Sequence, residues 1–353
     1  MYRFGSCLVL RAAAAVLVLS AAYACAQTTP SAEAPPVSQF PDTPEQQTPQ
    51  ATFKVNVNLV SLYFTARDKH NGLIPTLSKS DCSIFEDKQP QTIKSFNAET
   101  DLPLTLGILL DTSGSQTNVL PLEQQSGGEF LHQIMRQKDQ AFVVTFDVDV
   151  DLAQDFTNNV NELTRALDKA EINTAGGNGA GGIPGIGQGP VPTQGVPKGT
   201  LLYDAVAQVS HDKLTEESGR KAMILLTDGE DEGSVTKPEQ AIEAAQKANA
   251  IIYVILIADR PFYGYGEFYT GDMQMRKLAE STGGRVINVG NNGKKLEDAF
   301  AQIEQELRTQ YLASFTPTNT KLDGSYRKLD ISCKGDGVKV QARKGYYAIA
   351  SNQ

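Results

Sequence analysis

Apolar and polar residues alternate along Phe53-Lys54-Val55-Asn56-Val57-Asn58-Leu59-Val60, the two-residue period of a half-buried strand. Leu62–Ala66 continues as β, and Asp68-Lys69-His70-Asn71-Gly72 carries turn chemistry. Short strands are predicted at Cys82–Asp87 and Gln91–Phe96. Together these segments describe a small all-β module. The pattern changes at Pro103. Leu104–Leu110 is apolar without interruption and ends in Asp111, as expected of a strand buried on both faces. Ala141–Phe146, Ala222–Leu226 and Ile251–Ile257 repeat that pattern. Helical spacing separates them, at Phe130–Met135, at Val160, Leu163 and Leu167, at Leu201–Leu214 and at Pro238–Ala248. Pro238 suits a first helical turn. A helix at Met273–Ser281, a strand at Arg285–Val289 and an amphipathic helix at Leu296–Leu307 complete the series. Strands alternating with helices predict an α/β fold, a doubly wound and mostly parallel sheet.

Beyond Arg308 the pattern returns to β, with strands predicted at Gln310–Phe315, Tyr326–Cys333 and Val338–Ala342. Asp323-Gly324 and Asp336-Gly337 are turn signals. The expected organisation is a β module from 53–100 and 310–349, with the α/β domain (101–309) inserted between its halves. Two cysteines of this region, Cys82 and Cys333, either form one disulfide joining the halves or remain two buried thiols.

The N-terminus reads as a targeting segment. Arg3 and Arg11 precede an apolar run, Ala12–Ala24, and Ala24-Cys25-Ala26 offers a signal-peptidase site, so 1–26 is expected to be removed. A membrane anchor is a competing reading, but the run is short of the roughly 20 residues of a spanning helix. Lipidation at Cys25 is another, with the large Tyr23 fitting it poorly. Residues 27–52 are rich in Pro, Thr, Ser, Gln and Glu, a composition that buries no core and predicts a disordered linker. Export to the periplasm, cell surface or medium follows, with no transmembrane segment after signal cleavage, and it places Cys82 and Cys333 in an oxidising compartment. The formal charge of −9 argues against a nucleic-acid partner.

Three separated pieces carry the candidate chemistry. Asp111-Thr112-Ser113-Gly114-Ser115 follows the first buried strand, Gly199-Thr200 precedes a helix, and Thr227-Asp228-Gly229 follows another buried strand. Ligands of open α/β sheets bind beyond the carboxyl ends of the strands, where Asp111 and Asp228 both fall. Carboxylate and hydroxyl oxygens suit a hard cation, Mg²⁺ foremost, with Ca²⁺ or Mn²⁺ as alternatives, and no nearby His or Cys points to zinc. Alone, Asp111 or Ser113 is equally a helix cap. The uncharged Gly- and Pro-rich stretch 173–199 is either a mobile flap or a tolerated insertion, and its position directly before Thr200 favours the flap.

Asp111-x-Ser113-x-Ser115, Thr200 and Asp228 together resemble the metal-ion-dependent adhesion site of von Willebrand factor type A and integrin inserted domains. The resemblance covers roughly Leu102–Leu307 and includes Thr282-Gly283-Gly284. It implies that Ser113, Ser115 and Thr200 are the oxygen ligands closest to the ion, and that Asp111 and Asp228 act directly or through water. It further implies a protein partner that offers an acidic side chain to the metal. The stretch Lys79–Asp87 and the ending Arg343-Lys344-Gly345-Tyr346-Tyr347 resemble the exported von Willebrand factor A-related proteins abundant in Acidobacteria. The long insertion before Thr200 departs from the usual short form.

Other features compete less well. Asp147, Asp149, Asp151 and Asp155 read as a charged edge strand rather than a second cation site. Glu230, Asp231 and Glu232 either tune the rim potential or repel acidic ligands, or form only a solvated loop, which is the commoner case. Phe262, Tyr263, Tyr265, Phe268 and Tyr269 are binding anchors or a folded-down cover. His70, His132 and His211 sit in no nucleophile–base arrangement, and neither a Gly-x-Ser-x-Gly elbow nor a phosphate-binding loop is present. The expected function is therefore a non-enzymatic, metal-dependent, adhesion-type binding module. A metal-dependent hydrolase and a structural component of a cell-envelope assembly are the rival classes.

Overall fold

A computed structural model describes residues 59–99, 102–173, 199–257 and 271–349. The predicted signal segment, the linker, the start of the first strand, the aromatic loop and the interior of the Gly- and Pro-rich stretch lie outside the described residues. The described residues all belong to one compact unit, Val55–Gln353.

The centre of that unit is a six-stranded sheet. Its strands are β5 (Leu104–Asp111), β6 (Gln140–Phe146), β7 (Val150–Thr157), β8 (Arg220–Thr227), β9 (Ala250–Leu256) and β10 (Val286–Asn288). They run in the order β10-β9-β8-β5-β6-β7. All neighbours are parallel except the β6–β7 pair. Every residue of β5, β8 and β9 is buried, which explains their uninterrupted apolar runs. One face carries α1 (Leu120–Ile134), α2 (Val160–Asp168) and α6 (Gly293–Arg308), where Phe130 stacks on Phe300 at 4.6 Å. The other carries α3 (Leu202–Val209), α4 (Pro238–Lys247) and α5 (Gly271–Thr282). The sheet is therefore doubly wound, as the alternation predicts.

The flanks build two antiparallel sheets. Their strands are β1 (Val60–Arg67), β2 (Cys82–Glu86), β3 (Gln89–Gln91), β4 (Ile93–Glu99), β11 (Gln310–Phe315), β12 (Tyr326–Cys333), β13 (Lys339–Ala342) and β14 (Gly345–Tyr347). The orders are β13-β1-β11-β4 and β14-β12-β2-β3, so each sheet mixes strands from both ends of the chain. The single strand expected over Gln91–Phe96 is two, broken at Thr92. Leu62, Phe64, Ile84, Tyr311 and Phe315 form their shared core. Glu86 and Tyr346, from the two family-like flank motifs, meet inside it. Tyr346 Oη donates to Glu86 Oε2 at 2.8 Å, and Arg327 Nη1 lies 3.3 Å from Oε1.

Cys82 and Cys333 face each other across β2 and β12 and form a disulfide. It closes a loop with a sequence separation of 251 residues, so it removes much chain entropy from the unfolded state. The expected cost of replacing both cysteines with serine is about 2–4 kcal/mol. Urea unfolding under oxidising and reducing conditions measures it. The wild type should move under reduction and the double variant should not.

The module sits at the amino-terminal edge of the central sheet. Lys344 N, between β13 and β14, donates to Ser281 O of α5, just ahead of β10, at 3.1 Å. Thr282-Gly283-Gly284 makes the corner on the β10 side. Thr282 Oγ1 accepts from Ile252 N at 3.0 Å and donates to Ala279 O at 2.8 Å. A Cβ on Gly284 would fall 1.8 Å from Ile252 O, so only glycine lets this backbone lie against β9. The opposite, carboxyl-terminal edge is thereby left to the loops that follow β5 and β8.

Candidate metal centre

The strand order reverses between β5 and β8. The helix after β5 packs on one face and the helix after β8 on the other, so their loops diverge and open a crevice. Asp111 ends β5 and is fully buried, while Asp228 follows β8 and is 1% exposed. The parallel register brings Leu110 opposite Leu226, which sets Asp111 beside Thr227. Thr227 Oγ1 donates to Asp111 Oδ2 at 2.6 Å, and Ser113 N donates to Oδ1 at 3.0 Å. Both carboxylate oxygens are thus fixed in orientation. Ser113 and Ser115 are half-buried, with their hydroxyl oxygens 3.0 Å apart. Ser115 Oγ donates in turn to Asp228 Oδ2. Four of the five residues singled out from the sequence, from two distant stretches, therefore form one hydrogen-bonded chain.

Thr200 reaches the same rim through its backbone. Glu232 N donates to its carbonyl at 3.2 Å, and Leu201 N donates to Asp147 O at 2.7 Å. Gly199 makes this approach possible. Its φ is +100°, and a Cβ there would lie 2.2 Å from Glu232 Cβ. Thr200 is 5% exposed between the β6 end and the loop after β8.

Some rim residues differ from the sequence reading. Asp147 and Asp149 belong to the β6–β7 turn rather than to the edge strand, because Asp147 N closes that turn onto Asp149 O at 3.0 Å. Asp147 is a rim support. It accepts from Thr112 Oγ1 at 2.7 Å and from Asn173 Nδ2 at 3.0 Å, and Asn173 N donates to Thr112 O at 3.0 Å. Asp155 does lie on the exposed edge strand, paired with Lys213 at 2.8 Å. Asp231 is also committed, accepting from Ser234 Oγ at 2.6 Å and from Tyr203 N, at the start of α3, at 3.3 Å. His70, His132 and His211 are all exposed.

The electrostatics favour a cation. Burial, and next the charge of Asp228, push the Asp111 carboxyl up to about 7, against the opposing pull of its hydrogen bonds. The partners of Asp111 are hydroxyls and an N–H, with no cationic side chain among them. Ligands at about 2.0–2.1 Å in an octahedral shell stand about 3 Å apart, which is the separation of the two serine oxygens. Among the described residues no group of three His, Cys, Asp or Glu could hold a metal. The oxygens brought together are carboxylates and hydroxyls, donors that suit a divalent cation. Asp111, Ser113, Ser115 and Asp228 are brought together by side-chain hydrogen bonds, and Thr200 joins the rim through its backbone carbonyl.

Two residues of this neighbourhood escaped the sequence reading. Glu123, in the first turn of α1, is 1% exposed, and Gln116, in the short turn before α1, is also 1% exposed. Both oxygens of Glu123 and the Oε1 of Gln116 are buried without a hydrogen-bond partner among the described residues. Glu123 shares a helical stripe with Leu120, Gly127, Leu131 and Ile134, all of them buried, but Pro121, Gly127 and Gly128 obscure that stripe in the sequence.

No family model matches the chain, and no curated protein matches it by sequence. Solved structures are similar to it at low identity. The conserved hypothetical protein BatB from Bacteroides thetaiotaomicron is 15% identical over 58% of this chain and 99% of its own, with a TM-score of 0.43. An aerotolerance-related membrane protein from Bacteroides fragilis, carrying multiple mutations to serine, is 16% identical over 58% of this chain and 98% of its own, with a TM-score of 0.42. Proximal thread matrix protein 1 from the mussel byssus, with a zinc-occupied MIDAS motif, is 17% identical over 62% of this chain and 48% of its own, with a TM-score of 0.45. This chain therefore spans about half the length of the mussel protein. The strand order and the crevice, rather than these likenesses, carry the assignment of a doubly wound α/β fold.

Proposed function

We propose that this protein is a cation-dependent binding module for another protein, without enzymatic activity of its own. One observation carries the reading. Two half-buried serines place their hydroxyls 3.0 Å apart, with Ser113 bonded through its backbone to the buried Asp111 and Ser115 through its hydroxyl to the buried Asp228. A divalent ion held there has few protein charges to neutralise it. It keeps part of its positive charge and part of its water, and an acidic side chain from outside completes its shell. The adhesion-type resemblance supports the same step, with Mg²⁺ as the first candidate ion.

The module is read as exported. The targeting pattern at the N-terminus, the resemblance of the flanks to exported Acidobacterial proteins and the Cys82–Cys333 disulfide support this. No helix among the described residues is long and apolar enough to cross a membrane. The hydrolase reading lacks an evident general base, since the three histidines sit in no recognisable nucleophile–base arrangement in the sequence.

The test is capture from the envelope fraction of the source organism, with Mg²⁺ and with chelator, using the wild type and Asp111→Ala. A partner should be recovered by the wild type in Mg²⁺ and lost in the other arms. Recovery that survives both chelator and Asp111→Ala would point to a structural component with an idle site. Metal-dependent turnover of phosphate esters would revive the hydrolase.

A further inference from the structure

The least satisfied polar group near the crevice is a carboxylate outside the five-residue motif. Glu123 lies on the buried side of α1, with both oxygens inaccessible and without a hydrogen-bond partner among the described residues. A carboxylate taken out of water without a partner is costly and needs compensation. The other long buried acidic side chains are compensated. Glu306 is met by Arg67 and Arg285, Asp139 by Arg308 and Glu86 by Arg327. Glu123 is in none of these ion pairs. Its strongest charged neighbours are Asp111 and Asp228, both of the same sign.

A hydrophobic contact role does not explain this placement. Leu or Met at position 123 would serve packing without the desolvation cost. A helix-dipole role does not explain it either, since a first-turn glutamate gains that interaction while exposed to solvent. What the arrangement lacks among the described residues is positive charge, and the proposed ion would supply it. Gln116 repeats the pattern nearby. Its Nε2 lies 3.5 Å from Ser115 Oγ, while its buried Oε1 has no partner among the described residues. Two side chains from the segment after β5 thus hold unmatched acceptors around one crevice. A Mg²⁺-like ion bound mainly by hydroxyls keeps waters whose protons need such acceptors.

We propose that Glu123 is an outer positioning residue of the cation centre, supplying a third negative charge and an acceptor for the water on the ion. It rests on the reading of the crevice as a cation site. Glu123 is not a ligand, since no trio of acidic groups among the described residues is close enough to hold a metal. It acts through its electrostatic interaction with Asp111 and Asp228. In the ion-free protein, burial first, and then those two aspartates, push its carboxyl well above the usual range. The ion reverses that balance.

The test uses the intact mature chain and Mn²⁺ as the probe, counted by electron paramagnetic resonance. Glu123→Gln keeps the shape and removes the charge, and Glu123→Met also removes the acceptors. The wild type is expected to bind one Mn²⁺. Glu123→Gln should weaken that affinity about 10–100-fold without changing the count, as outer-shell substitutions do, and Glu123→Met should weaken it at least as much. Glu123→Met should unfold at higher urea than the wild type in chelator, because an apolar side chain replaces a buried polar group that has no hydrogen-bond partner among the described residues. A purely packing role would leave the Mn²⁺ affinity unmoved. Wild-type affinity in both variants would therefore overturn the proposal and leave the site reading intact. Loss of the fold in both variants would also overturn it, by showing that the ion-free fold needs Glu123. A wild type that binds no Mn²⁺ would overturn the site and the proposal together.

Discussion

Asp111→Asn is expected to weaken Mg²⁺ binding about 100-fold and, in chelator at neutral pH, to make the protein more stable. The two halves of this result share one cause. Asp111 is fully buried, and burial together with the charge of Asp228 raises its carboxyl to about 7. In the unfolded chain the same group titrates near the ordinary carboxylate value of 3.8. Between those values the folded, ion-free state holds a proton that the unfolded state has released. Stability attributable to Asp111 therefore falls as pH rises from about 4 to about 7, and levels off above. The loss is on the order of 2–4 kcal/mol. Asparagine cannot ionise, so the variant lacks this decline. Mg²⁺ reverses the order. At 100 times its dissociation constant it stabilises the wild type by about 2.7 kcal/mol, and the variant gains little. Urea midpoints of both proteins, in chelator and in Mg²⁺ at pH 5 and pH 7.5, measure all of this. Parallel pH curves in chelator would show that the buried carboxylate is not strained, and equal Mg²⁺ shifts would show that it does not serve the ion.

How much of this centre could be read from the sequence varies from residue to residue. The strands β5, β6, β8 and β9 are legible because a strand covered on both faces has no polar position to interrupt it. Their carboxyl ends then locate Asp111 and Asp228 without any coordinates. Ser113 and Ser115 follow from Asp111 by short-range spacing alone. The start of α1 is not legible. Pro121, Gln124, Gln125, Gly127 and Gly128 dilute its apolar stripe and lower its helix propensity, so periodicity becomes clear only at Phe130. Losing those turns also loses Glu123, whose significance lies in facing inward. Asp147 is misplaced for the opposite reason. Its alternation with Asp149 and Asp151 mimics a strand, whereas a turn held by Thr112 and Asn173 breaks the period. The pairing of the flanks is an inference about topology that local pattern only suggests. The register of Cys82 opposite Cys333 is a tertiary fact.

Glu306→Ala should cost about 3–5 kcal/mol, the usual effect of removing one partner from a buried ion pair. Glu306 lies near the end of α6 and is fully buried. Its Oε1 meets Arg67 of β1 at 2.5 Å and Arg285 at 2.5 Å, and its Oε2 accepts from Gln341 of β13 at 3.2 Å. One carboxylate thus ties the last helix of the central layer to two strands of the flank module. Alanine leaves Arg67 and Arg285, 11% and 22% exposed, facing each other without their shared counter-ion. That mutual repulsion, and not the lost contact alone, sets the size of the effect. Adding Arg67→Leu should recover part of it, because it removes one of the two stranded charges. The chain has no tryptophan, so tyrosine fluorescence and far-ultraviolet circular dichroism are the practical probes of urea unfolding. Their transitions should coincide in the wild type if module and layer unfold as one, and separate in Glu306→Ala if this carboxylate is what couples them. Mg²⁺ affinity of the folded variant should stay at the wild-type value. Glu306 and the module lie at the amino-terminal edge of the sheet, whereas the cation crevice opens at the carboxyl edge. A large change in affinity would show that the two edges communicate, and the module would then be part of the binding device rather than its support.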